Sequence, residues 1–260
     1  MQPRSSDALT PAALGSDPLL RVHRLSKSFG GIRAVNDASF DVAAGSVTGL
    51  IGPNGAGKTT AFNLVSGTLR PDSGSVTFAG GSIDGLAPHK IHRRGLARTF
   101  QITKSIPGLS VLENVVAAAA PHGLLPLVRP RMAVAERRRA LDLLEFLGIA
   151  HLAGDDADNL SYGQRKLLEL ASALMSEPRL ILLDEPAGGV NPTLLQRIIE
   201  RIRDMREQGV TFLIVEHNMD MVMQLCDSVV VMAHGAVLEQ ATPEVVRDNP
   251  LVLDAYLGRV

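Results

Sequence analysis

The chain has a single cysteine, Cys226, among 260 residues. An internal disulfide is therefore excluded, and a lone thiol fits a reducing compartment. Its neighbours Met221, Val222 and Leu225 follow helical spacing, so a buried structural thiol is expected. An excess of one charge is also missing: 26 Lys and Arg against 27 Asp and Glu leave a net charge of −1. That balance argues against bulk binding to nucleic acid, which needs a basic face. Long apolar runs are lacking too. The uncharged stretch Val115 to Val128 contains Pro121, His122 and Pro126 and falls short of the ~20 apolar residues that span a bilayer. Any membrane role must then come through a partner. Residues 1–18 begin rich in Ser, Ala and Pro with no apolar signal-like core. They are expected to be a flexible tail and not a signal peptide. No internal repeat stands out.

What is present is ordinary for a soluble globular protein: 45% hydrophobic and 20% charged residues. The length allows one to two domains with a full core. Leu20–Phe29 and Ala34–Val42 predict two strands around Gly30-Gly31. Val47–Ile51 predicts a strand, and Lys58–Leu69 a helix with Phe62, Val65 and Leu69 on one side. Ser75–Ala79 and Ala97–Gln101 are shorter strand candidates. The middle changes character: Val111–Ala120, Met132–Leu147 and Gly163–Met175 all predict helices. Residues 102–177 are thus expected to be a helical subdomain inserted into a sheet-containing core. Leu180–Asp184 is an apolar strand. Asn191 and Pro192 then offer an N-cap and a first-turn proline for a helix that Gly209 ends. Val210–Val215, Asn218–Leu225, a hairpin across His234-Gly235 and a short C-terminal helix follow. Alternating strands and helices predict an α/β fold with a mostly parallel sheet.

Three segments carry chemistry. Gly52-Pro53-Asn54-Gly55-Ala56-Gly57-Lys58-Thr59-Thr60 fits the phosphate-loop pattern between a strand and a helix. Glycines let the backbone close on phosphate oxygens, and the helix start favours negative charge. Lys58 is expected at the β- and γ-phosphates and the Thr59 hydroxyl at Mg²⁺. Asp184 and Glu185 end an apolar strand downstream. Asp184 is expected to reach Mg²⁺ through water, and Glu185 to polarise an attacking water as general base. His217, after the strand Val210–Val215, faces the same crevice in such a fold and is a candidate partner for the γ-phosphate. The remaining histidines lack comparable context. The third segment is Leu160-Ser161-Tyr162-Gly163-Gln164. Ser161 suits a helix cap, and a helix start with free N–H groups is also an anion site. Because Lys58 already holds the chain's own phosphates, this second surface is expected to face outward. Gln101 is either a polar loop residue or a contact to Mg²⁺ and the lytic water. Phe29 is either a core ring or an exposed platform on which adenine stacks.

Together these residues resemble the nucleotide-binding subunits of ABC transporters, from about Leu20 to Leu257. The matching marks are Walker A at Gly52–Thr59, Q-loop Gln101, signature Leu160–Gln164, Walker B Ile181–Asp184, then Glu185 and switch His217, in family order. Phe29 looks like the A-loop aromatic and Gly189-Val190-Asn191 like the D-loop. Within the family the chain is most similar to branched-chain amino acid (LIV-type) importer ATPases. The segments Ala97-Arg98-Thr99-Phe100-Gln101, Ala187–Pro192 and Ala255-Tyr256-Leu257-Gly258 support this. Lipopolysaccharide-export and urea-import ATPases share several of them. Two positions depart from the general pattern: Tyr162 replaces a signature glycine, so its ring must point away from phosphate, and Asn191 replaces the D-loop aspartate.

The resemblance implies an ABC ATPase core over residues 19–260 with an antiparallel β subdomain and the helical insertion. It implies ATP and Mg²⁺ as ligands, with Thr59, Gln101 and Asp184 at the metal. Nucleotide contacts would come from Phe29, Gly52, Asn54, Gly55, Ala56, Gly57, Lys58, Thr59 and Thr60. Ser161, Tyr162, Gly163 and Gln164 would meet the ATP of a second ATPase subunit, a copy or a paralogue. Glu185, His217 and Gln101 would carry catalysis. The implied partners are two membrane permeases and, indirectly, a periplasmic solute-binding protein. The implied location is peripheral, on the cytoplasmic face of the inner or plasma membrane. The alternatives are a lipopolysaccharide-export-type ABC ATPase homodimer or a urea/amide importer ATPase. A non-transport ABC ATPase is disfavoured because tandem units and long coiled coils are lacking.

Overall fold

Apolar pentads alternate with amphipathic helices along the chain, and that alternation builds the core of the computed structural model, which describes residues 17–99, 105–119 and 134–257. In chain order the described elements are β1 (Leu20–Phe29), β2 (Ile32–Val42), β3 (Val47–Ile51), α1 (Lys58–Val65), β4 (Ser73–Phe78), β5 (Gly81–Ser82), α2 (Pro88–His92), β6 (Leu96–Arg98), α3 (Val111–Ala119), α4 (Val134–Phe146), α5 (Tyr162–Leu174), β7 (Leu180–Asp184), α6 (Pro192–Glu207), β8 (Thr211–Val215), α7 (Met219–Leu225), β9 (Ser228–Ala233), β10 (Ala236–Ala241), α8 (Pro243–Arg247) and α9 (Pro250–Tyr256).

The central sheet has the order β10-β9-β3-β8-β7-β6. Its strands β3, β6, β7, β8 and β9 run parallel, and β10 joins β9 as an antiparallel hairpin. β3, β7 and β8 are buried along their whole length. That is why they read as mostly apolar runs, broken only by Thr48, Gly49, Asp184 and Thr211, and not as alternating ones. A second sheet, β2-β1-β4-β5, is antiparallel. Its first strand alternates at the start, with Leu20 and Val22 buried and Arg21 and His23 exposed.

Two large apolar clusters cover opposite faces of the central sheet. One joins Leu50, Leu182, Leu213 and Val230 to Phe62 of α1 and to Val22, Leu25 and Val35 of the antiparallel sheet. The other joins Ile181, Leu183 and Ile214 to Val115, Leu144, Leu168 and Ala171 of the helical block and to Ile198 and Ile202 of α6. The helices between β6 and β7 therefore share a core with the sheet.

Strand register positions the site. Leu50 of β3 and Asp184 of β7 both pair with Val215 of β8. The residues immediately following these three, Ile51-Gly52, Glu185 and Glu216-His217, emerge together at the carboxyl edge of the sheet. In open parallel sheets this edge is where ligands bind.

Some boundaries differ from the sequence reading. The helix expected over Lys58–Leu69 stops at Val65. Gly67 adopts φ +73, and a Cβ there would lie 2.5 Å from the Leu86 carbonyl oxygen, so the chain turns away. The C-terminal segment forms two short helices, each with proline in its first turn. Among the described residues no helix is long and apolar enough to cross a membrane. Gln101 and all but the last two residues of the expected tail lie outside the described residues.

Candidate functional site

The loop between β3 and α1 is shaped by glycine at positions no other residue fits. Gly52 and Gly57 have φ +146 and +97. A Cβ on Gly52 would sit 2.1 Å from the Met232 carbonyl oxygen, and one on Gly57 2.3 Å from that of Ala34. Gly57 is the N-cap of α1 and supplies no side-chain cap, and the first turn carries no acid. Its first helical bond runs from Ala61 N–H to Gly57, so the preceding N–H groups point into the loop. The arrangement is one that anionic oxygens complete. Lys58 folds back over it, its Nζ donating to the carbonyls of Gly52 (2.7 Å) and Pro53 (3.0 Å). Burial lowers the Lys58 pKa, and the facing Glu185 carboxylate partly opposes that shift. Asn54, Gly55 and Thr59 are exposed, whereas Ala56 is buried beneath the loop and its carbonyl accepts from Gly235 N–H (3.1 Å).

Asp184 closes β7 with its side chain only 4% exposed. Its Oδ2 accepts from Arg98 Nη2 at 3.3 Å. Burial raises the Asp184 pKa against the lowering effect of Arg98. Arg98 also donates to Asn63 (2.6 Å) and Ser66 (2.8 Å) and covers the Phe62 ring, so it ties the acid to α1. A threonine hydroxyl and a carboxylate are hard oxygen donors of the kind Mg²⁺ takes, and the fold brings Thr59 and Asp184 into one cleft.

Glu185 leaves the strand in a left-handed conformation, φ +49, which costs a non-glycine residue on the order of 1 kcal/mol. Its N–H is held by Val215 (2.9 Å), and its carbonyl accepts from Gly188 N–H (3.0 Å) and from Lys166 Nζ (2.7 Å). The turn swings the carboxylate toward His217, whose Nδ1 lies 3.8 Å from Glu185 Oε1. His217 is itself exposed at the mouth of the cleft.

Ser161, Tyr162, Gly163 and Gln164 open α5 as a reciprocal cap. Ser161 Oγ accepts from Gln164 N–H, and Gln164 Oε1 accepts from Ser161 N–H (2.8 Å). The Tyr162 ring turns back against the loop after β7: a Cβ on Gly189 would touch it at 2.9 Å. Gly163 has its own packing reason, since a Cβ there would strike Leu194 of α6 at 2.1 Å.

Against known proteins, the model of the family described as "ABC transporter" matches residues 35–188. A probable branched-chain amino acid transport ATP-binding protein LivG of Archaeoglobus fulgidus is 43% identical over 92% of this chain and 95% of its own length. The chain belongs to the ABC transporter family, as an ATP-binding subunit. The high-affinity branched-chain amino acid transport ATP-binding protein BraF of Pseudomonas aeruginosa is 40% identical over 94% of the chain and 99% of its own length. A solved structure of the ADP conformation of MJ1267, an ATP-binding cassette of an ABC transporter, superposes with TM-score 0.84 at 33% identity, covering 94% and 100% of the two chains. A nucleotide-free cassette from an ABC transporter superposes with TM-score 0.83 at 34% identity, covering 92% and 98%.

In this ABC ATPase the loop, Asp184, Glu185 and His217 converge, while Ser161–Gln164 lie at the start of α5, with Ser161 and Tyr162 exposed. Phe29 is 46% exposed at the end of β1, with Lys27 Nζ 5.7 Å from its ring, so the alternative of a core ring is excluded. Asn191 is the N-cap of α6, accepting from Leu194 N–H at 2.9 Å. Sequence reasoning missed Glu216. Its carboxylate, 1% exposed, accepts from the N–H groups of Ala187 (2.7 Å), His217 (2.8 Å) and Asn218 (2.9 Å). It thereby stitches the loop after β7 to the loop after β8. Its position, an acid ending a buried strand beside His217, was the available signal. Arg98 and Lys166 were also missed as contacts to the two acids.

Proposed function

We propose that this chain is the ATP-hydrolysing subunit of an importer for branched-chain or related amino acids, working as a dimer that closes around ATP. The observation that carries the reading is the convergence of the glycine loop, Asp184, Glu185 and His217 at one sheet edge, with a second anion-suited helix start on a separate surface. The names of the relatives above support the transport class and the cargo.

In this reading Phe29 stacks on adenine, the loop from Gly52 to Thr60 wraps the phosphates, and Lys58 exchanges its carbonyl partners for phosphate oxygens. Thr59 and Asp184 would hold Mg²⁺, together with Gln101, and the ion would neutralise charge developing on the β- and γ-phosphates. Glu185 takes the proton of the attacking water, and His217 holds the water and γ-phosphate in line. Ser161 and Gly163 of a facing subunit, copy or paralogue, contact the same γ-phosphate. ATP then has contacts in the closed dimer that it lacks in the open one, and only such a difference drives closure. Hydrolysis removes the bridge and reopens the pair. Membrane permeases docked near the helical block would convert this movement into transport, fed by a periplasmic solute-binding protein. The subunit would then sit peripherally on the cytoplasmic membrane face.

The test is uptake by proteoliposomes that contain this chain with its co-purifying permeases and a binding protein. ATP-dependent accumulation of leucine or isoleucine is expected. ATP hydrolysis without uptake of any amino acid would overturn the cargo and leave the ATPase standing.

A further inference from the structure

Among the described residues Lys166 stands apart from the other lysines. It is on α5, five residues after Ser161, and is only 8% exposed. Its ammonium donates to the main-chain carbonyl of Glu185 at 2.7 Å and lies 5.5 Å from the centre of the Tyr162 ring. Burying a lysine side chain is costly, so the interaction it makes there must compensate. The carbonyl it grips belongs to the one residue at this edge that combines a left-handed backbone (φ +49) with the carboxylate facing His217. Tyr162, one turn before Lys166 on the same helix face, presses on Gly189, four residues after Glu185. Both ends of the loop after β7 are therefore anchored to the start of α5.

We propose that Lys166 is a positioning residue for Glu185, fixing the backbone that aims the carboxylate and making that aim depend on where α5 sits. This rests on the reading of Glu185 as general base and of the α5 start as the surface for a partner's ATP. Capture of the partner's nucleotide by Ser161 and Gly163 moves or clamps α5, and Lys166 carries that displacement to Glu185 of the same chain. One subunit's engagement with its neighbour's ATP thus sets the readiness of its own base. The link is direct, through the hydrogen bond to the Glu185 carbonyl and the Tyr162 ring contact, and the same ammonium places its charge near Asp184.

The test uses the full chain and three readouts: turnover at saturating ATP, ATP affinity, and ATP-induced dimerisation on a Glu185→Gln background. Lys166→Met keeps the stem and deletes the donor. Turnover is expected to fall by roughly tenfold or more, with ATP affinity within about twofold and dimerisation retained. Lys166→Arg, which keeps a charged donor, is expected to recover most of the turnover. Unchanged turnover in Lys166→Met would overturn the proposal. So would a turnover loss matched by equal losses of affinity and dimerisation, because a packing role predicts that pattern. If the methionine variant does not fold, Lys166→Gln replaces it with the same criteria. A parent chain with no ATPase activity would instead count against the proposed function.

Discussion

At the scale of single residues, the site is built from groups whose surroundings were tuned by burial. Lys58 is half-withdrawn from water and held by loop carbonyls, partners that the proposed function exchanges for phosphate oxygens. Lys58→Ala removes charge-assisted hydrogen bonds that contribute about 1.5–3 kcal/mol. Isothermal titration should therefore show ATP binding weakened by roughly ten- to a hundredfold; unchanged affinity would remove the loop from the site. Cys226 illustrates the opposite tuning. Burial pushes its thiol up to about 12, reinforced by Asp227 and Glu216. At pH 8 the thiolate fraction should be roughly a thousandfold below that of an unfolded cysteine. Cys226 is half-buried, so labelling with a thiol reagent should be far slower in the folded chain than in denaturant. Equal rates in both states would contradict the burial.

At the scale of elements, the loops after β7 and β8 matter as much as the strands that launch them. Glu216 holds these loops together by accepting three backbone N–H groups, and its loss strands all three. Glu216→Ala should cost about 3–5 kcal/mol in urea unfolding, and Glu216→Gln markedly less because one acceptor remains. Equal stability of all three chains would mean the loops hold without it. This element explains what the sequence made legible and what it did not. β3 and β7 were readable to the residue because a mostly apolar run ends at glycine or acid. α1 was overextended because Leu69 continues the apolar period past Gly67, whose left-handed backbone (φ +73) ends the helix. Arg98 and Lys166 were invisible as functional residues because each acts on a residue 19 or more positions away, a meeting that no local spacing encodes. Glu216 carried a local signal beside His217, but its bond to Ala187 is equally remote. Conversely, the reciprocal Ser161 and Gln164 cap follows directly from their separation of three.

At the scale of the whole molecule, two surfaces divide the labour. One sheet edge gathers the loop, Asp184, Glu185 and His217. The start of α5 is held apart from it but tied to it through Lys166 and Tyr162. In the proposed reading the first set of groups grips the chain's own ATP and the second that of a facing subunit. The central claim is that ATP joins two such subunits. Sedimentation of the Glu185→Gln chain with ATP, with ADP and without nucleotide tests it most directly. Removing a general base slows hydrolysis by roughly 10²–10⁴-fold, so ATP should persist long enough to observe. The account predicts a dimer with ATP alone and a monomer in the other two conditions. A chain that binds ATP yet stays monomeric, both alone and when mixed with the ATPase paralogue that co-purifies with it, would contradict it.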